Sequence, residues 1–204
     1  QNFEFRLGIP QEDSYGRTHP LSGERIAVLQ DTYSVDPAWS APLNPKWESD
    51  FKRIKAKLTG YLADPTATLR DYPETDKSVP ARYARAYAWH KSAYPQKALD
   101  ESSTLVASAP DDPYFLELYG QILLESGHPT EAIVPLRKAV SLTGNQPLSA
   151  AIFGHALIAT DNKAQLDEAA QVLKAAVTKD NQNPFAWYQL GVVYAQKGDT
   201  ARAA

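Results

Sequence analysis

Pro184-Phe185-Ala186-Trp187-Tyr188-Gln189-Leu190-Gly191-Val192-Val193-Tyr194 sets Trp187, Leu190, Gly191 and Tyr194 at the spacing W-x2-L-G-x2-Y. A turn signal at Gly198-Asp199 follows, and then a small residue, Ala203. The pattern recurs upstream. Gly120, Gly154 and Gly191 lie at intervals of 34 and 37, each followed by a second small residue at Ala132, Ala169 and Ala203. Counting back 34 from Gly120 reaches Ala86. A period near 34 is the length of one helix–turn–helix unit that stacks on copies of itself. Apolar residues at i, i+3, i+4 and i+7 make a buried stripe on a helix, and Gly or Ala within it lets the partner helix approach closely.

Four copies follow. The unit 79–112 keeps Tyr83, Ala86, Trp89, Ala98 and Pro110. The unit 113–146 carries Tyr119-Gly120, Leu123, Gly127, Ala132, Leu136 and Ala139. The unit 147–183 carries Phe153-Gly154, Leu157, Ala169, Leu173 and Ala176, with three extra residues near Asp161-Asn162-Lys163. The unit 184–204 is truncated after its turn. Asp112-Pro113 and Asn183-Pro184 place an N-cap before a proline at the first helical position. Over 79–204 the chain resembles the tetratricopeptide repeat. That resemblance implies an all-α fold: a tetratricopeptide-repeat helical solenoid, preceded here by a loop-rich N-terminal extension and capping helices. The truncated unit is expected to leave Trp187 and Tyr194 partly uncovered, unless another element caps them.

In such a solenoid the first helix of each pair lines the concave side. The repeat register puts Tyr83, Tyr87, His90, Tyr114, Glu117, Gln121, Leu124, His155, Ile158, Phe185 and Tyr188 there. The resemblance implies that this groove holds a protein or peptide segment. A Lys/Asn clamp for a terminal carboxylate is disfavoured, since Lys91 lies only at the margin and no matching Asn appears. His90 and His155 face the groove as pH-sensitive contacts or as packing residues. For each lining residue, packing between repeats is the alternative role.

The first 78 residues do not fit the repeat pattern. A helix is expected from near Ser22, then a Pro-rich linker over 33–44, with capping helices over 45–78. Asn44-Pro45 and Asp64-Pro65 open those helices, and Tyr72-Pro73 closes the second. Ahead of them stands Thr18-His19-Pro20-Leu21-Ser22-Gly23-Glu24-Arg25-Ile26. A His-Pro with an Arg six residues after the His, then an aliphatic residue, is similar to the end of the catalytic domain in zinc metallopeptidases of the HtpX / CAAX-prenyl-protease type. Members of that family with a C-terminal tetratricopeptide region are periplasmic and act in outer-membrane quality control. The resemblance implies that 1–32 is the tail of a metallopeptidase domain. It makes His19 and Arg25 accessory catalytic residues, with zinc held by the parent protein and none by this fragment. The repeats would then bind protein or peptide partners, or dock on their own protease domain. The competing reading is a stand-alone scaffold without protease activity, in which His19 caps a turn and Arg25 pairs with Glu24 or Asp31.

The composition excludes several classes. With 43% hydrophobic and 22% charged residues, the chain is ordinary for a globular protein. There is no apolar run long enough to span a membrane. The net charge of -3 and the lack of a basic block give no nucleic-acid footprint. There is no Cys, so disulfides and thiolate zinc sites are excluded. No HExxH occurs, and none of His19, His90, His128 and His155 lies four residues from another. A start at Gln1 and an end inside a repeat suggest a piece of a longer protein.

Overall fold

The computed structural model describes residues 22–203, among which there are eleven α-helices, two short 3-10 turns and no strand. The chain divides between Ser49 and Asp50 into two units. In the first, α1 spans Ser22–Tyr33 and a 3-10 turn spans Pro37–Ser40. Asp36 caps that turn by accepting from the Ala38 amide at 2.7 Å. Every residue from Glu24 to Ser49 is exposed.

Helix α2 runs over Pro45–Leu62, and α3 over Pro65–Asp71. Four helix pairs follow: α4 Val79–Lys91 and α5 Pro95–Ser108, α6 Pro113–Glu125 and α7 Pro129–Leu142, α8 Pro147–Ala159 and α9 Leu166–Lys179, α10 Pro184–Gln196 and the stub α11 Thr200–Ala203. First helices thus begin at 45, 79, 113, 147 and 184. The 34-residue step reaches one unit further back than the signature residues do. The unit at 45–78 is distorted: α2 has 18 residues where α4 has 13, and α3 has 7 where α5 has 14. The three extra residues of the third pair are taken up around a 3-10 turn at Lys163–Gln165.

Helix starts follow the local chemistry. Proline at the first turn gives up no intrahelical hydrogen bond, and a short polar side chain before it accepts from the orphan amides. Asp64 accepts from the Ala67 amide, Ser78 from Ala81, Asp112 from both Tyr114 and Phe115, and Asn183 from Ala186. The turn inside each pair has its own repeat. Ala93 (φ 59°), Gly127 (φ 86°), Asp161 (φ 53°) and Gly198 (φ 77°) all sit in the left-handed region, at the repeat spacing.

The small residues are where the helices meet. A Cβ on Gly120 would lie 2.5 Å from Leu136 Cγ, and one on Gly154 would lie 2.5 Å from Leu173 Cγ. Each glycine therefore holds a fully buried leucine of its own partner helix, which contributes about 1.5–3 kcal/mol. At Gly191 the same atom would meet the Ala203 carbonyl at 3.1 Å. The core runs from Tyr83, Phe115 and Ile122 to Phe153, Leu173 and Tyr194, with Leu99 packed against both of its parts. Tyr194 is buried, unlike the expectation for a truncated unit. Ala203 packs against the same core, and the Arg202 and Lys174 cations lie 5.7 and 5.9 Å from its ring. Trp187 is 49% exposed and donates from Nε1 to the Asn181 carbonyl at 2.9 Å.

Candidate functional site

The first helices α4, α6, α8 and α10 present the residues that the repeat register assigns to a concave face. Side-chain contacts tie neighbouring helices together. Tyr83 meets Phe115 edge-on with ring centroids 5.2 Å apart, and His155 meets Phe185 edge-on at 5.6 Å. His90 Nε2 lies 2.5 Å from Glu125, and Gln121 donates to the same carboxyl at 2.8 Å. Ser149 donates to Glu117, linking α8 to α6.

These residues divide by exposure. Tyr83, at 1%, and Ile158 are buried and form the wall from within. Tyr87, His90, Glu117, Gln121, Leu124 and His155 are half-buried. Tyr114, Phe185 (39%) and Tyr188 (68%) stand open.

One half of this face already has an occupant, the second half of α2. Arg53 forms a bidentate pair with Asp112, with N–O distances of 2.5 and 2.6 Å. Its guanidinium carbon lies 4.2 Å from the Phe115 ring centroid and within 6 Å of Tyr83 and Tyr114. Lys57 reaches the Tyr114 ring at 5.3 Å. Further along, Gly60 lets α2 cross α4 closely, because a Cβ there would lie 2.6 Å from the Ala84 carbonyl oxygen. Tyr61 packs edge-on against Tyr87, and Lys91 donates to the Tyr61 and Ala63 carbonyls at the end of α2.

Two hollows remain beside α2. One, of about 440 Å³, is lined by Asp50, Arg53, Ile54, Lys57, Tyr83 and Tyr114. The other, of about 580 Å³, is lined by Tyr61, Tyr87, His90, Lys91, Leu118, Gln121 and Glu125. The sequence pattern missed Arg53, Lys57 and Tyr61, since nothing in the register of the repeats tells that α2 lies over α4 and α6. Glu125 has a signal in the sequence: it is one residue beyond Leu124 and four beyond Gln121, on the same helix face as Gln121.

Burial governs the titration of this face. Desolvation raises the Tyr83 and Tyr87 hydroxyls above the usual tyrosine range. The hydrogen bond from His90 holds Glu125 below its ordinary value. Burial pushes His155 down from 6.5, against the pull of Glu125. Among the described residues no group of three metal-ligating side chains comes together. No helix among them is long and apolar enough to cross a membrane. His19 lies outside the described residues, and Arg25 is exposed on α1.

Comparison with known proteins agrees with this geometry. Residues 163–198 match the TPR repeat family model. No curated protein matches the sequence. Among solved structures, YrrB, a TPR protein with an unusual peptide-binding site, is 24% identical with a TM-score of 0.60, covering 74% of this chain and 79% of that one. MamA from Desulfovibrio magneticus RS-1 is 17% identical with a TM-score of 0.63, covering 79% of this chain and 91% of that one. MamA from AMB-1 is 17% identical with a TM-score of 0.64, covering 75% and 91%. At these identities the likeness speaks for the fold alone. Helix order, the recurring 34-residue step and the glycine–leucine contacts say the same: the architecture is a tetratricopeptide-repeat solenoid.

Proposed function

We propose that the chain is a protein-interaction scaffold whose open concave half, formed by α6, α8 and α10, holds a peptide segment of a partner protein. The observation that carries this reading is the exposed pair Phe185 and Tyr188, one turn apart on α10, beside the half-buried His155. Rigid aromatic side chains standing in solvent give a large contact area at low entropy cost. Gln121 and Glu125 supply polar groups at the other edge of the open half. The peptide-binding site named for YrrB supports the same class of ligand. An apolar residue of the peptide would pack on Phe185 and Tyr188, and its backbone or a basic side chain would meet Gln121 and Glu125.

Attachment to a zinc peptidase, and with it a periplasmic setting, rests on the short resemblance around His19 and Arg25. The scaffold reading does not depend on it. A displayed peptide library panned against the chain tests the scaffold directly. Enrichment of a motif that loses at least tenfold in affinity on Tyr188→Ala, with helicity unchanged, is the expected result. Equal capture by the wild-type chain and by the double variant Phe185→Ala/Tyr188→Ala would place binding elsewhere.

A further inference from the structure

We propose that α2 is a dimerisation helix, pairing antiparallel with α2 of a second copy of this chain. Trp47, Phe51, Ile54, Leu58 and Tyr61 succeed one another at steps of 4, 3, 4 and 3 residues, the spacing of a coiled-coil seam. All five are more than half exposed. Ala56 and Gly60, which are buried, lie on the opposite face of the helix. The seam thus faces away from Ala56 and Gly60, and only its margin touches the solenoid, Tyr61 against Tyr87 and Ile54 at the hollow beside Tyr83 and Tyr114. A continuous apolar stripe of this length on a helix calls for a partner.

The flanking charges identify the partner. One flank of the seam carries Glu48 and Lys55, and the other carries Asp50 and Lys57. On both flanks the acid lies toward the N-terminal end and the base toward the C-terminal end. When two copies run antiparallel with Phe51 facing the second copy's Ile54, Trp47 faces Leu58. The same register sets Glu48 beside Lys55 and Asp50 beside Lys57 of the other copy, giving four opposite-charge pairs around one twofold axis. A parallel pair aligns only Asp50 with Lys55, twice. Seam and flanks are complementary to themselves about one point, as an isologous interface requires. Each carboxylate can accept from more than one cation, so the pairing does not need either acid to be otherwise disengaged.

Two charge-reversed chains test this in sedimentation equilibrium at low ionic strength. Lys55→Glu/Lys57→Glu makes both flanks acidic, and Glu48→Lys/Asp50→Lys makes both basic. The wild-type chain is expected to dimerise. Each variant alone should dissociate at least about tenfold more readily, and an equimolar mixture should recover a heterodimer. Glu48 and Lys55 are exposed, Asp50 and Lys57 are half-buried beside Tyr114, and none of the four belongs to the buried core; circular dichroism verifies the fold. Because the chain has no Cys, orientation follows from mixing Glu48→Cys with Lys55→Cys, which should form a disulfide across the pair. A monomeric wild-type chain would overturn the proposal and leave the seam to another helix, α1 or a foreign one. Variants that dimerise like the wild type, or Lys55→Cys cross-linking to itself instead, would also overturn it.

Discussion

Arg85 is fully buried and donates from Nε to Glu101 at 2.7 Å, joining α4 to α5. The same guanidinium donates to the Pro73 and Asp76 carbonyls at 2.8 Å each, pinning the segment that leads from α3 into α4. Arg82 shares the Glu101 carboxylate at 2.8 Å. Removing one member of a buried, hydrogen-bonded pair leaves its partners unsatisfied, at about 3–5 kcal/mol. Arg85→Ala is expected to lose stability of that order in urea unfolding. Arg85→Lys should recover little, since an ammonium cannot span carboxylate and carbonyls as the planar fork does. A loss below about 1 kcal/mol for Arg85→Ala would show that Arg82 alone holds this corner.

Gly120 and Gly191 occupy the same repeat position with unequal room. A methyl group on Gly120 meets Leu136 Cγ at 2.5 Å in a closed core, whereas on Gly191 it meets only the Ala203 carbonyl at 3.1 Å. Overpacking a closed core costs about 1–3 kcal/mol. Gly120→Ala should fall in that range by chemical denaturation, and Gly191→Ala should cost clearly less. Equal costs would mean that the α6–α7 contact yields as easily as the α10–α11 one.

Ala93 occupies the left-handed turn position that Gly127 and Gly198 fill elsewhere. An L-residue there carries a steric penalty of about 1–2 kcal/mol, offset in part by the extra freedom glycine has when unfolded. Ala93→Gly is therefore expected to stabilise the chain by about 0.5–1 kcal/mol, read as a rise in melting temperature. Gly127→Ala should do the reverse.

The groove carries a pH dependence whose sign follows from His155. Burial lowers its folded pKa below 6.5, so between that value and its folded pKa the unfolded chain binds more protons than the folded one. Stability from this residue is full above 6.5 and declines as pH falls below it. Glu125, lowered from 4.5 chiefly by the bond from His90, acts with the same sign further toward acid. Thermal melts at pH 7.5 and 5.5 should differ less in His155→Gln than in the wild type. An unchanged difference would remove His155 as the cause.

The repeat region was legible because each of its rules is local. A small residue every 34 positions, a proline after an acid or amide and an apolar stripe need no knowledge of distant chain. The Gly120–Leu136 and Gly154–Leu173 contacts and the Asp112 and Asn183 caps lie where that pattern put them. The path of α2 was not legible. Its own pattern yields a helix, but the contact of Arg53 with Asp112 spans 59 residues and is decided by the shape of α4 and α6. Tyr83 illustrates the same limit. The register assigned it to the concave side, and α2 with Phe115 turns that position into wall. The burial of Tyr194 depended on a four-residue stub whose hold on the core could not be judged from composition.

The third helix pair is three residues longer than its neighbours, yet α10 still stacks on α8 and α9. The excess is spent between Asp161 and Leu166, after the chain has turned and before it re-enters the stack. Length in this architecture is thus neutral at the hairpin tips. A peptide tag or a fluorophore-bearing loop inserted after Asn162 would report on the solenoid without shifting its helical phase. The corresponding tips at Ala93 and Gly127 extend the same tolerance along one edge of the molecule.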